Sequence, residues 1–171
     1  MHTQHTPHRF FSTALLAIMV SMAGCASTTQ TATPPTTVMA AAAQAPELST
    51  FYKLVQQAGL TSSLEVAGPI TVFAPTNDAF KAVPADKLDK LSKDPVLLKS
   101  VLTYHVIPGS LKSVDITANT SVATLNGTKL AISKAGDFVT VDDGMVTQAD
   151  VMTGNGVLHL IDSVLMPAVK K

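Results

Sequence analysis

Tryptophan is absent from the chain, cysteine and arginine occur once each, and aromatic residues make up 5 % of the 171 positions. With rings this sparse there is no run of stacking platforms for bases or sugars. A single Cys excludes an intrachain disulfide, so a folded domain must rest on its apolar core. A chain of this length buries roughly two thirds of its unfolded surface on folding, which makes that feasible. Charge of either sign is also without excess, Lys plus Arg equalling Asp plus Glu at 12 each. Scattered charges leave no basic stripe for phosphates and no acidic tail, so nucleic acid is not an expected partner.

Long apolar runs are missing too. The longest, "FFSTALLAIMVSMAG", is roughly fifteen residues, short of the ~20 that cross a bilayer as a helix. It follows a polar start whose only firm positive charge is Arg9, and small residues come after it, so residues 1–24 read as a secretion signal. His2, His5 and His8 fall inside that leader and are not read as a metal tract. The lone Cys stands next, in "SMAGCAS", which resembles a bacterial lipoprotein signal in which the Cys is acylated and becomes the mature N-terminus. Cys25 is the expected lipidation site, although Met22 replaces the Leu usual three positions before it. Ala26, rather than Asp, follows the Cys, which by the usual sorting pattern favours the outer membrane, facing periplasm or exterior. The alternative is an ordinary secreted protein cut a residue or two later. Residues 25–45, rich in Ala, Thr and Pro and free of charge, read as a flexible tether with a helical option over the alanines. Such a coil spans roughly 25 Å.

From Pro46 the pattern changes. "ELSTFYKLVQQAG" spaces Leu48, Phe51, Tyr52, Val55 and Ala58 as one helix face, with Gly59 as C-terminal cap. "GPITVFAP" reads as a buried strand, "TNDAFKAV" as a helix capped by Thr76, "PADKLDKLS" as a short helix from Pro84, and "DPVLLKSVLTYH" as a helix with Asp94 as cap and Pro95 in its first turn. Beyond Pro108 the runs alternate: "TSVATLNGTKLAIS" is a hairpin across a two-residue Asn126-Gly127 turn, "DFVTVDDGMVTQADVM" a second across Asp143-Gly144. A last strand enters through Gly154-Asn155-Gly156. Helices first and strands after argue for an α+β domain on antiparallel sheet. In "VLHLID" both faces are largely apolar, so that strand is expected to be central.

Three stretches, in order, carry a resemblance: "TVFAPTNDAF" (71–80), "YHVIPG" (104–109) and "NGVLHLIDSVLMP" (155–167). They resemble the signature blocks of the fasciclin domain family over residues 46–168. The resemblance implies a compact wedge, β-sandwich-like antiparallel sheets with several helices packed on one side. It also implies an extracellular, non-enzymatic module of cell adhesion or matrix contact, with no cofactor. Tyr104 and His105 fall, by position, where the Tyr-His block of animal members has been linked to receptor binding, so they are the implied binding surface. Two alternatives stay open: a carrier of an apolar small molecule, carotenoid or lipid, and a cell-envelope structural protein.

The chemistry agrees with a binding role. After the leader only His105 and His159 remain, too few and too far apart for a zinc site, and there is no G-x-S-x-G elbow, G-x-G-x-x-G or P-loop. Neither a catalytic nor a metal residue is therefore assigned. Leu98, Val101, Leu102 and His105 lie at i, i+3, i+4 and i+7, which places the imidazole on an apolar stripe beside the carbonyls a helix end leaves unpaired. His105 is expected to be a hydrogen-bonded core residue and Tyr104 the more open of the pair. Thr76, Asn77 and Asp78 are expected to complete a structural polar network with His105 and His159.

Overall fold

Three of the described α-helices start at a side-chain cap, Thr37, Thr76 or Asp94. A computed structural model describes residues 36–117 and 119–167, so Cys25, the leader and most of the tether lie outside the described residues. Helix α1 (Val38–Gln44) is capped by the Thr37 side chain and buries Val38, Met39, Ala41 and Ala42. The expected tether therefore ends earlier than residue 45. "VMAAAAQ" shows no helical period because it is apolar on every side, and a helix of that kind belongs in a core.

A 3-10 turn (Pro46–Leu48) leads into α2 (Ser49–Gln57), which is followed by Gly59 at φ +66°, the left-handed conformation that glycine adopts without penalty. Helix α3 (Thr61–Val66), absent from the sequence reading, precedes strand β1 (Ile70–Pro75), which is buried along its whole length. Helices α4 (Asn77–Ala82), α5 (Ala85–Lys93) and α6 (Pro95–Tyr104) follow. Thr76 Oγ1 accepts from the Ala79 amide at 3.3 Å, and Asp94 Oδ1 from those of Val96 and Leu97 at 2.9 and 3.0 Å.

The strands are β2 (Val106–Pro108), β3 (Thr120–Ala123), β4 (Lys129–Ala135), β5 (Phe138–Val141), β6 (Gly144–Thr153) and β7 (Gly156–Ile161). They form one seven-stranded sheet in the order β2-β1-β7-β6-β5-β4-β3. The α+β expectation holds, but the sheet is mixed: β1 and β7, second and third in that order, run parallel with Thr71 opposite Val157 and Phe73 opposite His159. Parallel partners need a long crossover, and here every other element of the sheet intervenes, so no local pattern announces the pairing. The Leu125 amide donates to the Val106 carbonyl at 2.8 Å, which brings the end of β3 to β2 and curls the sheet into a near-barrel.

Two turns differ from their sequence signals. The β3–β4 loop is closed by the Thr124 amide on the Thr128 carbonyl, with Gly127 at φ +79°. That is a three-residue turn with a glycine bulge instead of a two-residue turn. The β5–β6 turn is Asp142-Asp143, with Val141 opposite Gly144 and Asp142 itself at φ +47°.

Alternation along the central strands divides the core. Val72, Ala74, Leu158 and Leu160 face the helices and pack with Phe51, Val55, Leu98, Val101 and Leu102. Phe73 and Ile161 face inward with Tyr104, Ile107, Leu130, Ile132, Val141 and Leu165. As expected, β7 is buried on both faces.

Candidate functional site

The three signature stretches do meet, and Phe73 is where they join. Its amide donates to the His105 carbonyl at 2.9 Å. Its ring stacks on that of His159, with centroids 5.2 Å apart and planes at 19°.

His105 is 1 % exposed. Its Nδ1 lies 2.8 Å from the Val101 carbonyl, and its Nε2 accepts from the Leu165 amide at 3.1 Å. A carbonyl can only accept and an amide can only donate, so the ring is neutral with its proton on Nδ1. Burial pushes its pKa down from 6.5 to about 4, against the Val101 bond and the Asp142 charge, which favour the imidazolium. One ring ties the end of α6 to the segment that leaves β7.

Tyr104 corrects the expectation of openness. It is 4 % exposed, and its hydroxyl donates to Asp142 Oδ2 at 2.5 Å. Burial first, then the Asp142 bond and charge, push the phenol well above its usual range. Neither the Tyr104 nor the His105 side chain is exposed on the surface. The tyrosine ring fills the inner core because α6 turns it toward the barrel, and its polar end is satisfied by a carboxylate 38 residues further on.

His159, also buried, is neutral in the other tautomer: Nε2 donates to the Leu111 carbonyl at 2.9 Å and Nδ1 accepts from the Asp150 amide at 3.2 Å. Burial lowers its pKa, while the Leu111 bond and Asp150 charge oppose the shift.

The remaining network residues act elsewhere. Asn77 donates to the Pro46 carbonyl at 2.9 Å and accepts from the Thr50 amide at 3.0 Å, fixing the start of α2. Asp78 pairs with Lys81 on the surface, an interaction worth little. Thr76 caps α4, and its amide donates to the Ile161 carbonyl at 3.0 Å. The blocks are thus joined by backbone, by Phe73 and by the His105 bond to the Leu165 amide, and not by side chains of residues 76–78.

Two residues that the sequence reading passed over do more. Asn155 accepts from the Val38 amide at 2.8 Å and donates to the Leu64 and Ala67 carbonyls at 2.8 and 3.2 Å, so one amide holds α1, α3 and the entry to β1. Asp150, at φ +58° within the β6 irregularity, accepts from the Ser113 amide at 2.8 Å and from its hydroxyl. Burial pushes the Asp150 carboxyl up, but the two Ser113 bonds and the nearby His159 and Lys112 outweigh it, holding it below its usual value. Ser113, Asp150 and His159 are neighbours, yet the hydroxyl donates to the carboxylate and both ring nitrogens engage backbone groups. That is not a nucleophile-base pair.

Among the described residues no group of three or more His, Cys, Asp and Glu could hold a metal ion. None of the described helices is long and apolar enough to cross a membrane.

What lies open is the outer face of β3–β6. Register and alternation place Ser121 beside Ala131, Ser133 beside Thr140, Thr140 beside Met145 and Ala135 beside Phe138 on this side. Phe138 is 66 % exposed and Met145 43 %. A shallow depression of about 360 Å³ is lined by Ser121, Ala131, Ser133 and Thr140, with Asp142 at its edge. Lys134 points to the other side, where Nζ donates to the Ser113 carbonyl at 2.7 Å, so the middle of the face carries no charge. In "FVTV" the period of two is visible, but only the structure shows that the valines face inward and the phenylalanine outward.

Comparison with known proteins adds the following. The fasciclin domain family matches residues 46–167. Protein sll1483 of Synechocystis is 39 % identical over 135 residues, 77 % of this chain and 73 % of that protein. The cell surface glycolipoprotein MPB83 of Mycobacterium bovis is 39 % identical over 76 % of this chain, which spans 60 % of MPB83. Among solved structures, the fasciclin domain pair of the insect cell adhesion molecule fasciclin I superposes with a TM-score of 0.63 at 19 % identity, over 78 % of this chain and 51 % of that one.

Proposed function

Since this chain belongs to the fasciclin domain family, we propose that it is an exported, lipid-anchored binding module that makes adhesive or matrix contacts and catalyses no reaction. The observation that carries this reading is the division of the chemistry. The buried histidines and Ser113 are spent on internal bonds, while a sheet face with charge only at its margins, Lys129 and Asp142, and two large apolar side chains stands open. Charge depletion at the centre of a patch, with aromatic and Met residues in it, is the composition of a protein contact surface. The contact therefore uses the outer face of β3–β6 in place of Tyr104 and His105.

Anchoring rests on "SMAGCAS" and agrees with the description of MPB83 as a cell surface glycolipoprotein. Adhesion agrees with the description of fasciclin I as a cell adhesion molecule. On this reading the domain is held at the outer membrane through Cys25, its partner being a surface protein or matrix component. Intact mass from native membranes should show acyl chains on Cys25, and Cys25→Ser should move the protein to the soluble fraction. An unmodified N-terminus beginning after Ala26 overturns the anchor. For the contact itself, soluble wild-type domain should compete with cells for adhesion, and the Phe138→Ser/Met145→Ser domain should not.

A second reading, a carrier of an apolar molecule, is favoured by a depression of about 190 Å³ between α4, α5 and the segment after β7, lined mainly by apolar residues such as Ala79, Val83, Val164 and Met166, with Lys87 and Ser163 among them. Ligand cavities usually start at about 300 Å³, so it suits the end of an acyl chain better than a carotenoid. Retained lipid in the same mass measurement distinguishes this reading.

A further inference from the structure

The segment Gly109–Thr117, which joins β2 toward β3, lies outside the sheet ladder and yet is fastened to the sheet by side chains from four strands. Thr71 on β1 donates to the Gly109 carbonyl at 2.7 Å and accepts from the Leu111 amide at 2.8 Å. Lys134 on β4 donates to the Ser113 carbonyl at 2.7 Å. Asp150 on β6 accepts from the Ser113 amide and hydroxyl, and His159 on β7 donates to the Leu111 carbonyl at 2.9 Å. Beneath the segment, Ile116 is buried in the inner apolar group, with Leu111 packed against it.

We propose that Gly109–Thr117 is an acid-released strap, which closes one side of the near-barrel at neutral pH and comes away when His159 takes up a proton. The geometry gives the reason. Neutral His159 serves two backbone groups at once, giving its Nε2 proton to Leu111 and offering its Nδ1 lone pair to the Asp150 amide. A proton added at Nδ1 meets that amide head-on, and the amide belongs to the residue whose carboxylate holds Ser113. The Nε2 proton stays available to Leu111 in either charge state, so the added proton acts through the Asp150 amide: ring and β6 must part there, which shifts both the carboxylate that holds Ser113 and the ring that holds Leu111.

The charged groups around the site are Asp150 from β6, Lys134 from β4, and Lys112 and Asp115 on the strap, where Asp115 accepts from the Lys112 amide at 3.1 Å; β1 contributes the Phe73 ring and the Thr71 hydroxyl. Asp150 favours the imidazolium, while burial against Phe73 opposes it. Protonation therefore falls below the ordinary histidine range. Release uncovers Ile116 and the covered part of Leu111, apolar surface that is withheld at neutral pH.

Amide exchange of the folded domain, with the imidazole titration followed in the same samples, tests this. Between neutral pH and about pH 4, exchange at Leu111, Ser113 and Asp150, corrected for intrinsic rates, should accelerate at least tenfold relative to the Phe73 amide in β1. The midpoint should coincide with the titration of His159. His159→Gln keeps a donor for Leu111 but does not titrate, so it should abolish the acid dependence. Asp150→Asn, which removes the charge favouring the imidazolium, should move the midpoint to lower pH, and it carries the test if the Gln variant does not fold. Strap and Phe73 amides losing protection together, or a strap midpoint unrelated to His159 or unmoved in Asp150→Asn, would overturn the proposal.

Discussion

A neutral imidazole can give and take a hydrogen bond at once, and His105 depends on both. Charged, it would lose the Leu165 amide as a donor partner. With its pKa pushed from 6.5 in the unfolded chain to about 4 in the fold, the unfolded state binds more protons between those values. Stability is therefore complete above about pH 6.5 and drains away as pH falls toward 4, by about 3 kcal/mol in all. Urea midpoints across this window should show the fall. His105→Ala should flatten that dependence and lower stability at neutral pH by about 2–4 kcal/mol, since it leaves a buried carbonyl and amide unpaired beside a small cavity. Tyr104→Phe should cost less, about 1 kcal/mol, by removing the Asp142 bond. The histidine's role was legible in the sequence because the helical period set it among Leu98, Val101 and Leu102. The tyrosine's burial was not, because its partner Asp142 sits in a distant turn whose left-handed residue is an aspartate rather than the neighbouring Gly144.

Elements marked by caps and punctuation were readable: β1 between turn residues, α4 behind Thr76, α6 behind Asp94-Pro95. Those made by long-range contact were not. Helix α1 has neither a polar face nor a charge to show its period, and its place is set by burial and by the bond from Asn155 to the Val38 amide. Removing residues 36–45 should thus destabilise the domain by about 3–6 kcal/mol, the worth of burying Val38 and Met39, read as a lowered denaturant midpoint. An unchanged midpoint would return that stretch to the tether. The parallel β1–β7 pair makes a sharper demand. A Cβ at Gly156 would lie 1.9 Å from the Ile70 carbonyl oxygen, so Gly156→Ala should force the central strands apart and leave little folded protein, as circular dichroism would show.

At the scale of the molecule, the helices cover one side of β1 and β7 and the inner core fills the near-barrel, which leaves the β3–β6 face open. The family was legible from three short blocks, but their most chemically suggestive residues are internal fasteners, and the open surface lies on strands that none of those blocks contains. Stability and contact should therefore separate by residue. The most direct test is to measure melting temperature and cell-surface adhesion side by side for His105→Gln and for Phe138→Ser/Met145→Ser. The account predicts that the histidine variant melts lower yet adheres fully wherever it is folded, and that the surface variant melts like wild type and loses adhesion at least tenfold. Full adhesion by the surface variant, with adhesion lost in a folded His105→Gln, would contradict it.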